Sequence, residues 1–159
     1  MPGPELHPDV APLGFLLGSW IGEGTGVYPT IEDFGYGEEI RVSHVGKPFL
    51  AYTQRTWSLD DGRPLHAEAG FWRLAGRTHV ELVIAHPNGI VEVAEGELSG
   101  TSIALATTAT AKTGSAKDVE RLTREIRVSH DELAYDLQMA AVGQSLQPHL
   151  RARLTRTGT

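Results

Sequence analysis

Much of the chain alternates apolar and polar residues at every second position, the pattern of β-strands that bury one face. Val80, Leu82 and Ile84 show this alternation clearly, and so does the segment 132–140. Short turns built from Gly, Pro, Asp and Asn separate such segments at regular intervals. After a first, glycine-rich strand, nine more are predicted near residues 38–45, 49–58, 65–74, 78–86, 90–97, 101–109, 119–128, 132–140 and 149–156.

The short connections between these strands favour an up-and-down order, and closing the sheet on itself removes exposed strand edges. The fold class predicted is therefore all-β: a ten-stranded antiparallel up-and-down barrel of the lipocalin or fatty-acid-binding-protein type. Eight strands make a barrel that side chains fill or that holds one small ligand. Ten strands leave space for a flat ligand inside.

The N-terminal region is predicted to close one end of the barrel. Asp9 is a candidate cap for a short helix that runs to Leu17, and residues 1–8 are expected to form an irregular tail. The stretch 28–37 is interpreted as a loop that ends in a turn at Gly37. Without a linker or a second core, the chain 1–159 is expected to be a single domain.

The first strand has an unusually bare face. Gly18, Trp20, Gly22, Gly24 and Gly26 are in phase, so a strand places all five on one side. Glycine weakens a strand unless a bend, a bulge, or a close backbone or ligand needs the missing side chain. Two interpretations stay open: the glycines serve the curvature of the barrel, or the bare face lines a cavity.

Composition limits the classes of function. The chain of 159 residues is 40% hydrophobic and 21% charged, values of an ordinary globular protein, and it has no cysteine for disulfides or thiolate ligands. The net charge of −6 argues against general binding of nucleic acid. Because no apolar run approaches a membrane span and the N-terminus lacks a secretory signal, we expect a cytoplasmic protein without a membrane partner.

Seven histidines raise the question of a metal site. Three are expected to be solvated: His7, His79 and His130. Three lie near strand faces where a hydrogen-bonded structural role is favoured over a ligand role: His44, His66 and His86. His149 opens the last strand, and a single neutral imidazole at the rim of an apolar cavity is what five-coordinate haem requires. Composition alone does not select His149 over His44 or His86.

The phase of the last strand poses a problem for His149. Strict alternation groups His149 with Arg151 and Arg153, on the face opposite Leu150. Either a β-bulge near Pro148 reverses the phase, or the arginines also face inward or toward the rim.

Acid–base and nucleophilic chemistry find little support in the sequence. The pairs Glu38-Glu39 and Asp60-Asp61 are adjacent, so a strand sends their members to opposite faces. A nucleophile elbow of the Gly-x-Ser-x-Gly type is missing, and the glycine-rich stretch does not open a helix that could bind phosphate.

The motif Gly18-x-Trp20-x-Gly22-x-Gly24, followed by Tyr28-Pro29-Thr30, resembles the signature of the nitrobindins, which are haem-binding β-barrels. Near the C-terminus, Leu146-Gln147-Pro148-His149-Leu150 resembles the family's Pro-x-x-His-Leu context, with the proline slightly displaced. Further matches follow in the same order: Tyr36-Gly37-Glu38-Glu39, Gly46-Lys47-Pro48-Phe49-Leu50, Arg55-Thr56-Trp57, Pro64-Leu65-His66, Gly70-Phe71-Trp72-Arg73, Ala85-His86-Pro87-Asn88-Gly89 and Ala116-Lys117.

The resemblance implies one haem b per subunit, with its iron held by His149. It also implies that Thr30 contacts the haem. Lys117 is a weaker candidate for such a contact, and a solvated loop lysine is the alternative interpretation of that residue. The implied activity is isomerisation of peroxynitrite to nitrate at ferric haem, with binding of nitric oxide and with no catalytic residue beyond the iron. Nitrobindin-like barrels also suggest a homodimer.

The cavity strands offer glycines, leucines, valines and Met139, without a clear hydrogen-bond donor, so a tight apolar pocket is expected around the open iron position. Two other classes of function remain. One is a non-catalytic carrier, either of an apolar ligand in the manner of lipocalins or of haem or nitric oxide, including a sensor. The other is a structural or interaction domain whose barrel is filled by side chains.

Overall fold

The strands close into a barrel in which each one pairs antiparallel with its neighbours in sequence, and the first pairs with the last. The computed structural model describes residues 2–158. The expected ten-stranded antiparallel up-and-down barrel is confirmed. Its strands are β1 Gly18–Tyr28, β2 Ile31–Ser43, β3 Leu50–Ser58, β4 Pro64–Ala75, β5 His79–His86, β6 Ile90–Ser99, β7 Ser102–Lys112, β8 Val119–Ser129, β9 Glu132–Ala141 and β10 Gln147–Gly158.

A 3-10 helix over Pro8–Leu16 covers one end of the barrel. The N-cap is His7 and not Asp9 as expected, because the Asp9 backbone N–H donates to His7 Nδ1 at 3.1 Å. Leu16 lines the interior, and its carbonyl accepts a hydrogen bond from Trp20 Nε1 at 2.9 Å. The Arg156 guanidinium lies 4.2 Å from the centre of the Trp20 ring. The helix therefore anchors the start of β1 as well as closing the barrel.

The loop expected over residues 28–37 is wrong, because β2 begins at Ile31 and a turn of two residues joins it to β1. Gly35 and Gly37 look like turn residues in sequence but lie within the strand. A Cβ atom at Gly37 would collide with the Trp57 ring on β3. Gly37 thus makes room for a side chain from the neighbouring strand, and neither glycine ends β2.

The bare face of β1 is covered by its neighbours. A Cβ atom at Gly22 would collide with the Arg153 carbonyl on β10, and one at Gly24 would lie 2.5 Å from the Tyr36 ring on β2. The glycines thus allow β10 to approach closely enough to close the barrel. This favours the curvature interpretation of the motif over direct lining of the cavity.

The alternation of β5 is confirmed, because Val80, Leu82 and Ile84 are buried. Among residues 2–158, there is no helix with the length and hydropathy of a membrane span.

Candidate functional site

The barrel encloses a cavity of about 650 Å³. This volume lies within the range of about 300–1,000 Å³ that is typical of sites for small molecules and cofactors. Apolar residues such as Ile40, Leu82 and Leu137 line part of the cavity, and polar side chains from β2 to β9 line another part. A barrel filled by its own side chains is therefore excluded.

His149 lines this cavity because β10 carries a bulge at its start. The pairing with β9 shifts between Pro148 and Leu150, so His149 is the extra residue in the ladder. The alternation then resumes with Arg151 and Arg153 outside, where both side chains are 78% exposed. The first of the two sequence interpretations, a bulge next to the proline, is the one observed.

The His149 ring is held in one orientation and one tautomer. Its Nδ1 lies 3.0 Å from the Val27 carbonyl oxygen on β1. A carbonyl only accepts, so Nδ1 carries the hydrogen and Nε2 of the neutral ring keeps its lone pair. Histidines that bind metals usually donate their other ring N–H to such a carbonyl or to a carboxylate. Nε2 is thus the nitrogen available to a ligand in the cavity.

Tyr28 supports this ring from the side. The two ring centres are 5.5 Å apart in an edge-to-face arrangement. The Tyr28 hydroxyl accepts from the Ala141 N–H at 2.9 Å and lies 3.0 Å from the Met139 carbonyl, to which it can donate. Tyr28 is therefore tied to β9, and it joins three strands around His149.

Deeper in the barrel, Glu38 is the centre of a buried hydrogen-bond network. The Tyr135 hydroxyl and Gln54 Nε2 each donate to one carboxylate oxygen of Glu38 at 2.7 Å. The Tyr36 and Tyr135 hydroxyls are 2.7 Å apart. Burial raises the pKa of Glu38 to about 7, although both hydrogen bonds favour the carboxylate. Burial, together with the Glu38 charge, raises the pKa of Tyr135 well above its usual value.

A second network surrounds Glu92, whose side chain is 1% exposed. Arg124 on β8 donates two parallel hydrogen bonds to its carboxylate, at 2.7 and 2.8 Å. His86 Nε2 lies 3.0 Å from Glu92 Oε1, and the Thr107 hydroxyl donates to Oε2 at 2.8 Å. Burial alone would raise the pKa of Glu92, but the bonds from Arg124 and His86 hold it well below its usual value. Glu92 is therefore a carboxylate throughout the neutral range.

A third group lies near the start of β4. His66 Nε2 is 3.2 Å from Glu68 Oε1, which confirms the expected pairing of His66 as a wall residue. The Tyr52 hydroxyl donates to the other oxygen of Glu68 at 2.9 Å. Burial would raise the pKa of Glu68, but the bond to His66 and the charge of Arg124 hold it below its usual value.

The expectation of an apolar pocket without donors is therefore wrong. The signal was present in the sequence as charged residues that share the phase of an apolar strand face. Glu38 is in phase with Ile40, and Glu92 with Ile90. The adjacent pair Glu38-Glu39 made this signal hard to recognise, because only Glu38 points into the barrel. Glu39 points outward and pairs with Arg55. Single-strand phase does not show which interior charges will meet.

The other sequence candidates lie elsewhere. Thr30 and Lys117 are exposed in the loops before β2 and β8, and the described cavity lining includes their near neighbours Ile31 and Val119. His44 accepts a hydrogen bond from the Gly46 N–H at 3.1 Å, which is the expected structural role. The remaining histidines follow expectation at or near the surface: His7, His79 and His130.

The cavity and His149 fit a haem group. The volume, the apolar sector and a histidine whose tautomer leaves Nε2 free are the features that a five-coordinate haem needs. Arg63 and Arg121 also line the cavity and could meet anionic propionates. Trp72 Nε1 and Gln54 Oε1 are buried against the cavity without a hydrogen-bond partner among residues 2–158. Buried polar atoms need partners, so these two favour an occupied interior.

Comparison with known proteins agrees with this geometry. The sequence profile of the "THAP4-like, heme-binding beta-barrel domain" family matches residues 9–156. The chain is 51% identical to Peroxynitrite isomerase 1 of Mycolicibacterium paratuberculosis, over 96% of this chain and 97% of that protein. It is 48% identical to Peroxynitrite isomerase of Nocardia farcinica, over 98% and 95%.

A solved structure has the same architecture. The crystal structure of Rv2717c from M. tuberculosis superposes with a TM-score of 0.90 at 48% sequence identity, covering 96% of this chain and 99% of that one. The resemblance inferred from the Gly-x-Trp-x-Gly-x-Gly motif is confirmed. The chain belongs to the THAP4-like, haem-binding β-barrel domain family, which is the nitrobindin family.

Proposed function

We propose that this protein binds one haem b in the barrel cavity, with the iron held by His149 Nε2, and isomerises peroxynitrite to nitrate. Membership of a haem-binding family and relatives named peroxynitrite isomerase at about half identity support the activity. The observation that carries the ligand assignment is the hydrogen bond from His149 Nδ1 to the Val27 carbonyl. This hydrogen bond leaves the lone pair on Nε2, and the His149 ring lines the cavity.

The residues around His149 would act by positioning. Val27 fixes the tautomer, and the bulge after Pro148 turns the ring inward. Tyr28 limits rotation of the ring through its edge-to-face contact. A ligand whose orientation is already fixed loses little conformational freedom on binding the metal, which raises affinity.

When bound, ferric haem would supply an electrophilic iron centre with one open position, which suits a small anion or nitric oxide. Isomerisation of peroxynitrite to nitrate conserves atoms, charge and electrons, so the chain need not deliver a net proton or reductant. Its own task is to hold the reactants in a restricted volume with limited water. The barrel wall supplies that enclosure.

Thr30 and Lys117 are proposed as haem contacts only through the family resemblance. Both are exposed, and each lies within two residues of a cavity-lining residue, Ile31 or Val119. A carrier of an apolar ligand is disfavoured, because Glu38, Glu92 and Arg124 present charged or polar groups inside the barrel.

The activity is tested by stopped-flow decay of peroxynitrite with the ferric protein, with nitrate yield and nitration of free tyrosine measured in parallel. We expect faster decay, more nitrate and less nitration than with haem-free protein. Free hemin at the same concentration is the control for unassisted haem chemistry. Decay no faster than with haem-free protein, or undiminished nitration, would refute the isomerase function.

A further inference from the structure

The barrel interior contains a cluster of metal-binding side chains on the wall across from His149. His66 and Glu68 lie two residues apart on β4, so both point to one face, and His86 ends the neighbouring strand β5. All three line the cavity. Around the closed barrel, β4 and β5 are four and five strands from β10, which carries His149. The cluster is therefore separate from the proposed haem ligand.

The ligand atoms of the cluster have the spacing of a metal site. His66 Nε2 lies 3.2 Å from Glu68 Oε1 and 3.4 Å from His86 Nδ1, and His86 Nδ1 lies 3.8 Å from Glu68 Oε1. Zinc bonds of about 2.0–2.2 Å at tetrahedral angles place neighbouring ligand atoms about 3.3–3.5 Å apart. The three separations bracket that spacing, so small side-chain shifts would complete three of four positions.

The hydrogen bonds outside the cluster prepare these atoms to bind a cation. His86 Nε2 lies 3.0 Å from the Glu92 carboxylate, which also accepts from Arg124, and donates to it, which leaves the lone pair on Nδ1. The Tyr52 hydroxyl fixes Glu68 through the oxygen that is not in the cluster. A carboxylate behind one histidine and a donor behind the acidic ligand are the usual outer partners of a bound metal.

The charge of the interior also favours a cation at this point. The lone pair of His86 Nδ1 and the Glu68 carboxylate both converge on His66 Nε2. Among the cavity-lining residues, Glu38, Glu68 and Glu92 have carboxylates in side chains that are 10% exposed or less, and the buried Arg124 guanidinium is paired with Glu92. A divalent ion placed between these atoms, in place of the hydrogen on His66 Nε2, would be bound by a lone pair from each of them.

We propose that His66, Glu68 and His86 form a second metal site in the barrel, which binds a divalent transition-metal ion of the zinc class with its fourth position open to the cavity. Two histidines and one carboxylate with an open position form a ligand set known from zinc sites that bind water or substrate. The His66 side chain is 37% exposed, which gives the ion a path of entry. The proposal does not depend on haem or on peroxynitrite chemistry.

The test is a zinc titration of the chelator-stripped, haem-free full chain against a chromophoric chelator. We expect one tight site, weakened at least about 100-fold in His66→Ala and in His86→Ala. His149→Ala should bind zinc as the wild type does. His79→Ala is the matched surface control, because His79, Glu81 and Glu95 form a comparable cluster on the outside of β5 and β6. The tight site should survive in that variant.

Anomalous diffraction at the zinc edge on wild-type crystals gives a readout that needs no variant. The expected result is a peak between the three ligand atoms. Unchanged affinity in the variant that combines His66→Ala with His86→Ala would overturn the proposal, and so would loss of tight binding in His79→Ala or His149→Ala. Absence of the peak in zinc-soaked crystals would show that the cluster does not bind zinc, and this would also overturn the proposal.

Discussion

Replacing Glu38 by glutamine should make the protein less sensitive to rising pH. Burial raises the pKa of Glu38 from an ordinary value of 4.5 to about 7 in the folded barrel. The folded state thus binds this proton more tightly than the unfolded chain. The contribution of Glu38 to the free energy of unfolding is therefore greatest below pH 4.5 and falls as pH rises to 7.

The size of the effect follows from the two pKa values. Their difference of about 2.5, at about 1.4 kcal/mol per unit, gives a total cost of about 3 kcal/mol once Glu38 is ionised. About 2.5 kcal/mol of this falls between pH 5 and pH 8. Glutamine cannot ionise, and its side chain can still accept from Gln54 and donate to the Tyr135 oxygen. The Glu38→Gln variant should lose this part of the pH dependence.

The assay is urea unfolding of wild type and Glu38→Gln at pH 5 and pH 8. Other titrating groups, such as Glu92, act in both proteins and cancel in the comparison. We expect the variant to gain about 2.5 kcal/mol relative to wild type on going from pH 5 to pH 8. A difference between the two proteins that is equal at both pH values would refute the reasoning, as would a shift of opposite sign.

Two further predictions concern the stability of the barrel. Arg124→Met leaves Glu92 buried without its guanidinium and should cost about 3–5 kcal/mol in urea unfolding, whereas Arg127→Met, at a surface pair, should cost less than about 1 kcal/mol. Equal losses in both variants would contradict the role of the buried pair. Gly22→Ala drives a Cβ atom into the β10 backbone and should lower the free energy of unfolding by about 1–3 kcal/mol, while Gly3→Ala stays within about 0.5 kcal/mol. A harmless Gly22→Ala would show that β10 can move away.

The approximate positions of most strands could be predicted from the sequence, because the alternation of buried and exposed side chains is a local property. Val80, Leu82 and Ile84 reveal their buried face without knowledge of any partner strand. The boundary of β2 could not be predicted, since Gly37 looks like a turn residue until the Trp57 ring on β3 covers it. A glycine that admits a neighbour's side chain has no local signature of its own.

The candidate site, too, could be predicted only in part. His149 was selected by its resemblance to a family motif, but the bulge that turns it inward depends on its pairing with β9. The polar interior was missed because each member of it comes from a different strand. Glu92 and Arg124 lie 32 positions apart in sequence and meet only when the barrel closes. The alternation within each strand shows that both side chains point into the barrel. Only the register between the strands shows that they form a pair.

The central claim is that His149 holds the haem iron, and a titration of the haem-free protein with hemin tests it most directly. The wild type should give a saturable one-to-one change in the Soret band. His149→Ala should lose the spectrum of histidine-bound haem, because Nε2 is the ligand that the Val27 carbonyl prepares. His44→Ala, which removes a histidine held by the Gly46 N–H, should match wild type. A spectrum that persists unchanged in His149→Ala would contradict the account.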